Sequence, residues 1–208
     1  MDLANPHRLI AHPLDGSVLT VLAGTTRPLT GREVARLAPE GSQPGVWKAL
    51  TRLSEQGLVD RQEAGNAILY SLNRHHLAAP AIDILTGLRR RLLANLRDAI
   101  AGWAVAPHHA SMFGSAARGE ADIASDIDLV LVRPRDVAAD DRRWRDQVDE
   151  LSDAVHLWTG NRAGISEIDE QKVERLRKES PPIVTALRSD AVTLFGPDAT
   201  DVFRPDGR

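Results

Sequence analysis

Over the first 73 positions, apolar residues recur three times at helical spacing and then give way to strand-like runs. Leu14, Val18, Val21 and Leu22 share one face of a short helix over 13–24 that ends near Gly24. Thr30 with Glu33 three residues on is a capping box. The helix it opens carries Val34, Ala35 and Leu37 and stops before Pro39. Ser42 caps a third helix, with Val46, Leu50 and Leu53 inward and Gly57 at its end. Residues 58–62 and 67–72 then flank Ala64-Gly65-Asn66, the pattern of a β-hairpin.

From 75 to 103 the pattern is helical again, through Leu77, Ile82, Leu85, Leu88, Leu92, Leu93, Leu96 and Ile100. It reads as one long helix joining two modules, with Arg89-Arg90-Arg91 as a solvated face. A second copy of the chain could pack on it as a homodimer. Beyond it come a strand at His109–Phe113 and another through Ile127–Val132. A helix through Trp144, Val148, Leu151, Val155 and Trp158 follows, then a strand within 162–170 and a helix with Lys172, Val173 and Leu176. A closing helix from Pro181 and a short strand before Gly196 complete the pattern. The predicted organisation is a module over 1–74, a connecting helix over 75–104 and a second module over 105–208.

Composition narrows the classes. The 208 residues are 42% hydrophobic, enough for packed cores. No apolar run reaches the length of a membrane span, and Met1 to Ile10, with Asp2, Asn5, Pro6 and His7, does not read as a signal peptide. A cytoplasmic protein without membrane contact is expected. With no cysteine there is no disulfide, and a zinc site would have to use His and carboxylates alone. Residues 1–104 hold 12 Lys and Arg against 9 Asp and Glu, whereas 105–208 hold 14 against 20. A basic front and an acidic back point to two modules with different partners. His75-His76 and His108-His109 are adjacent pairs that point apart, so neither is expected to share a metal. Trp103, Trp144 and Trp158 read as core or interface residues, and Trp47 sits beside the outward face of the third helix.

The three short helices and hairpin resemble a winged helix-turn-helix of the MarR- and ArsR-like kind, the likeness resting mostly on residues 46–59. That resemblance implies binding of duplex DNA and a role in transcription regulation, with Gln43, Lys48, Thr51 and Arg52 facing outward as contact candidates.

Chemistry concentrates in the second module. Asp126 and Asp128 lie two apart on a strand and so share a face, with Ile127, Leu129 and Leu131 on the other. Two adjacent carboxylates repel each other unless a divalent cation sits between them, and hard oxygen ligands suit magnesium. Gly114-Ser115 ends the preceding strand, where small residues let backbone N–H groups and a hydroxyl approach phosphates.

Phe113-Gly114-Ser115, Arg118-Gly119 and Ser125-Asp126-Ile127-Asp128-Leu129 resemble the signature of the DNA polymerase β-like nucleotidyltransferases, and most closely the minimal ones of bacteria. The likeness spans roughly residues 85–196. It implies an α+β or α/β chain in which the winged helix is followed by a small mixed-sheet domain with flanking helices. It also implies transfer of a nucleoside monophosphate from a triphosphate, taken as ATP, to a hydroxyl of unknown identity on protein, RNA or a small molecule. In that reading Asp126, Asp128 and a third acid hold two magnesium ions, while Gly114, Ser115, Arg118 and Ser125 bind the nucleotide. Arg118 could instead pair with Glu120 or Asp122. The third acid is Glu167 or Asp169, with Glu167, inside the strand, favoured and Asp169, near its end, read alternatively as the N-cap of the next helix. Two rivals stand beside this reading: a regulator whose transferase module only senses nucleotide, and an antitoxin-like protein that binds a partner.

Overall fold

The computed structural model describes residue 2, residues 13–38 and residues 41–205. Met1 and residues 3–12, where the leader question lies, and Pro39, the expected helix stop, fall outside the described residues. The chain divides into two compact units, one ending at Leu88 and the next beginning at Arg89.

In the first unit α1 (Pro13–Ala23), α2 (Gly31–Leu37) and α3 (Gln43–Glu55) precede the hairpin of β2 (Val59–Ala64) and β3 (Ala67–Leu72). A two-residue strand, β1 (Leu29–Thr30), pairs antiparallel with β3, giving the sheet order β1-β3-β2. It is too short to show period-two alternation. Thr30 caps α2 in a full capping box with Glu33. The Ser42 side chain accepts from Gly45 N–H at the head of α3. Gly57 takes φ +75 as the chain leaves α3, a conformation that side chains with a Cβ resist. Val18, Leu22, Leu29, Val34, Val46 and Leu50 form the centre of the core, and each large apolar side chain contributes roughly 1.5–3 kcal/mol by leaving water.

The helical pattern over 75–103 folds as two helices, not one. α4 (Ala79–Thr86) ends at Gly87, and α5 (Leu88–Ala101) follows. Their apolar faces serve different cores: Ile82 joins the first unit, whereas Leu92, Leu93, Leu96 and Ile100 lie in the second.

The second unit is built on a mixed sheet of order β6-β5-β4-β7. β4 (His109–Phe113) and β5 (Ile127–Arg133) are antiparallel, β6 (Ala163–Asp169) runs parallel to β5, and β7 (Val192–Phe195) is antiparallel to β4. A five-residue helix, α6 (Gly114–Arg118), directly follows β4, and α7 (Arg142–Thr159) makes the crossover to β6. α5 and α7 cover one face of the sheet, packing on Met112, Ile127, Leu129 and Leu131. α8 (Glu170–Glu179), α9 (Pro182–Ser189) and α10 (Ala199–Val202) lie on the other, against Val130 and Val132. The expected apolar face of β5 is therefore covered as anticipated. The face of Asp128 is also covered along its length, and only the start of β5 is left open. No helix among the described residues is long and apolar enough to cross a membrane.

Candidate functional site

The site forms where β4 ends and β5 begins. Asp126 is exposed and lies just before β5, and Asp128 is half-buried as its second residue. Asp128 pairs with Phe113 on β4 and with Gly164 on β6. Glycines bracket its carboxylate. A Cβ at Gly114, where φ is +70, would lie 2.5 Å from Asp128 Oδ2, and a Cβ at Gly164 would lie 2.9 Å from Asp128 Oδ1. Any other residue at either place would have to displace that side chain. The cradle holds the carboxylate between two bare stretches of backbone.

Burial raises the Asp128 carboxyl above its ordinary value, and the negative charge of Asp126 adds to the rise. A cation relieves both effects. Among the described residues no group of three His, Asp or Glu side chains could hold a metal. Two carboxylates fit magnesium nevertheless, because that ion keeps waters and takes its remaining ligands from substrate phosphates.

The expectation that Glu167 completes the acid set does not hold. In the parallel pairing, Glu167 lies beside Leu131, so it projects on the face covered by α7. There Trp144 Nε1 donates to Glu167 Oε2 at 2.6 Å. The residues of β6 on the Asp128 face are Gly164, Ser166 and Ile168, and none is an acid. Asp169 takes the other role anticipated for it: it caps α8, accepting from Lys172 N–H at 2.7 Å.

Of the residues assigned to the nucleotide, Gly114 and Ser115 stand at the head of α6 beside Asp128. Ser125 is occupied locally. Its hydroxyl donates to Asp122 Oδ1 at 2.8 Å and accepts from Asp122 N–H at 3.0 Å. Asn161 Nδ2 then donates to the carbonyls of Asp122 and Ser125, at 2.9 and 2.7 Å, pinning the loop that leads to Asp126. Arg118 is paired with Glu120 at 2.8 Å and Asp190 at 3.3 Å, and its first bond, to Glu120, does most to raise its pKa.

Three contributors were missed in the sequence. Gly164 reads as a weak point in a strand unless the pairing is known. Asn161 follows Gly160, whose φ of +74 ends α7, and only the fold brings it to residue 122. Arg89 donates from Nε to the Ala116 carbonyl at 3.1 Å, and its Nη2 bonds the Ala117 carbonyl. It thereby caps the end of α6, where Ala116 also accepts from Gly119 N–H at 3.3 Å. The run of three arginines thus divides into one anchor and the exposed Arg90 and Arg91.

In the first unit, Gln43, Lys48, Thr51 and Arg52 all lie on the exposed side of α3. Arg52 is bound by Asp15 of α1, one of its bonds measuring 3.3 Å. Thr51 Oγ1 donates to the Trp47 carbonyl at 3.0 Å. A groove of about 1060 Å³ runs between α3 and the hairpin, lined by Arg32, Trp47, Arg61, Asn66 and Tyr70 among others. Trp47 is 48% exposed there. In the second unit Trp144 is fully buried, its ring edge-on to Trp103 at 5.5 Å.

Residues 106–183 match the family model of the nucleotidyltransferase domain. The chain thus contains a nucleotidyltransferase, and the matched segment carries both site carboxylates. No curated protein matches the chain. Two solved structures show slight likeness, each over 55% of this chain and 80% of its own. One is a toxin-antitoxin with AMP-PNP, at 18% identity and a TM-score of 0.32. The other is a mutant of the toxin-antitoxin MntA-HpeT, at 14% and 0.31. Likeness that low carries no reading of this chain.

Proposed function

We propose that the second unit transfers a nucleoside monophosphate from a magnesium-bound nucleoside triphosphate, taken as ATP, to an acceptor. The observation that carries this reading is the Asp126 and Asp128 pair at the open start of β5, cradled by Gly114 and Gly164. Asp126 and Asp128 would hold the metal, with triphosphate oxygens completing its shell. Magnesium, when bound, would offset phosphate charge and polarise the α-phosphate. Gly114 and Ser115 offer N–H groups and a hydroxyl where β- and γ-phosphates would lie, and Arg89 steadies that turn from behind. Arg118 would reach departing pyrophosphate only by leaving Glu120 and Asp190. Ser125 contributes by shaping the loop before Asp126, not by touching phosphate.

The first unit serves this reading as a winged helix-turn-helix that binds duplex DNA in service of transcription regulation. Support comes from the order of helices and hairpin, with Gln43, Lys48 and Thr51 exposed on α3 and Arg61 and Asn66 on the hairpin side of the groove. Arg52 would have to give up Asp15 before meeting DNA.

The nucleotide part is tested by calorimetry with ATP, with and without magnesium. Binding should require the metal and weaken in Asp126→Ala and Asp128→Ala, and binding unchanged in both variants overturns the assignment. Labelled triphosphates added with cell lysate should mark the acceptor. The DNA part is tested by gel shift on the chain's own upstream duplex. Affinity should fall with salt and drop in Lys48→Ala more than in Arg52→Ala.

A further inference from the structure

The groove between α3 and the hairpin carries chemistry that the site at β5 does not use. Trp47, Ser54 and Glu55 line it from one face of α3, at i, i+7 and i+8. Arg61 and Tyr70 are cross-strand partners on β2 and β3 and line the hairpin wall, and Arg32, from the first turn of α2, also borders the space. Trp47 is held in position. A Cβ at Gly31 would lie 2.9 Å from Trp47 Nε1 and 3.6 Å from Tyr70 Cε2, so the bare backbone of Gly31 is what admits the edge of the indole. Nearly half of Trp47 is still exposed, and its Nε1 has no hydrogen-bond partner among the described residues. Ser54 Oγ also lacks a partner, an unmade bond of the kind that a bound water or ligand completes.

Charge selects the occupant. Arg27, Arg52 and Arg74 of the same unit each pair with an acid. Arg32 and Arg61 make no side-chain hydrogen bond or ion pair among the described residues, and Glu55 is the one acid in the lining against them. Unpaired guanidiniums beside exposed aromatic surface suit a flat ring that bears an acid group. The ring stacks on the indole, and its charged oxygens accept N–H bonds from the planar guanidinium forks. The volume of about 1060 Å³ is at the upper end for a small-molecule site. We propose that this groove binds a planar aromatic anion, with Trp47 against the ring and Arg32 and Arg61 on the acid group. Aromatic carboxylates and nucleoside monophosphates share that chemistry. The proposal stands apart from the nucleotidyl-transfer reading, because every residue in it belongs to the first unit. It also goes beyond the DNA reading, in which the groove meets only a duplex.

The test titrates the full chain with benzoate and with AMP, in EDTA so that the magnesium-dependent site of the second unit stays empty. Indole fluorescence and calorimetry are read together. At least one of the two anions should quench saturably and release or absorb heat, and the tighter one identifies the source. Benzamide and adenosine keep the ring but lose the charge, and each should bind about tenfold more weakly than its anionic counterpart. Arg32→Gln and Arg61→Gln should each weaken the anion by about tenfold, whereas Arg36→Gln, on α2 outside the lining, should leave it unchanged. Trp47→Ala should weaken binding by about tenfold or more. Trp47→Phe should keep binding by calorimetry and lose the fluorescence change, and melting curves check that each variant folds. Equal affinity for charged and neutral rings overturns the proposal, as does undiminished binding by Trp47→Ala. So does the absence of heat and quenching with both anions up to about 1 mM. Quenching by a DNA duplex but by neither small anion gives the groove to nucleic acid instead.

Discussion

Neighbouring strands β5 and β6 carry similar acid pairs with opposite uses. Asp126 and Asp128 stand two apart at the start of one, and Glu167 and Asp169 stand two apart at the end of the other. Parallel pairing sets Asp128 beside Gly164, and Asp169 beside Arg133 at the far end. The first pair lies where the sheet face is open and backbone is bare. The second is divided between an indole N–H and a helix cap. Two carboxylates of the same spacing thus become a site or a structural support according to which face they meet and what covers it. Acid spacing is evidence of chemistry only when the partner strand leaves room beside it.

The sharpest break of this comparison is to exchange roles. Asp128→Asn should abolish transfer, a loss of about 10²–10⁴-fold on the scale of removing a catalytic group, with little change in melting temperature. Glu167→Gln should leave transfer within about threefold, far below the general-base range, and a loss comparable to that of Asp128→Asn would return Glu167 to the site. Pyrophosphate release by both variants decides between them.

Gly114→Ala probes the cradle itself. The residue would have to hold φ +70 with a Cβ 2.5 Å from Asp128 Oδ2. A left-handed non-glycine residue costs roughly 1–2 kcal/mol, and the displaced carboxylate should weaken magnesium-dependent ATP binding by about tenfold, near 1.4 kcal/mol. Unchanged affinity in calorimetry would show that Asp128 does not need the bare backbone.

Glu167→Ala isolates the structural pair. It leaves the buried Trp144 N–H without its partner, a loss of about 1–3 kcal/mol. Urea denaturation should show that drop while ATP affinity stays at the wild-type value. Lost affinity with unchanged stability would contradict the assignment.

The smallest effect lies in the first unit, where an acid serves structure alone. Hydrogen bonds from Thr30 N–H and Oγ1 and from Arg27 hold the Glu33 carboxyl down to about 2. Because the folded value is depressed, its contribution is fully present above the unfolded value of roughly 4.3. It is lost as pH falls from there through the folded value. Melting curves between about pH 5 and pH 2 should therefore fall more steeply for wild type than for Glu33→Gln. Parallel curves would show that the capping box adds nothing to the unit.

Much of this was legible along the chain. Capping residues, apolar spacing and the Gly-Asn turn mark α2, α3 and the hairpin because those signals act within a few residues. Gly114-Ser115 with Asp126 and Asp128 marks the site because period two puts both acids on one face of an extended segment. Gly87, the C-cap of α4, marks the division: helical periodicity runs across it, and the apolar faces on its two sides join different cores.

Parity within β6 was also readable, since Ile165, Glu167 and Asp169 alternate with Gly164, Ser166 and Ile168. Which parity meets Asp128 was not. That depends on the register of β6 against β5, which is set after an 18-residue helix by how α7 seats Trp144 in the core. A shift of one residue would turn every β6 side chain to the other face. The sequence alone determined that two acids share a strand face beside a glycine turn, because backbone geometry dictates it locally. Only the tertiary structure decided that a glycine lies beside them and that Glu167 looks away, because strand register is fixed by packing between residues far apart in the chain.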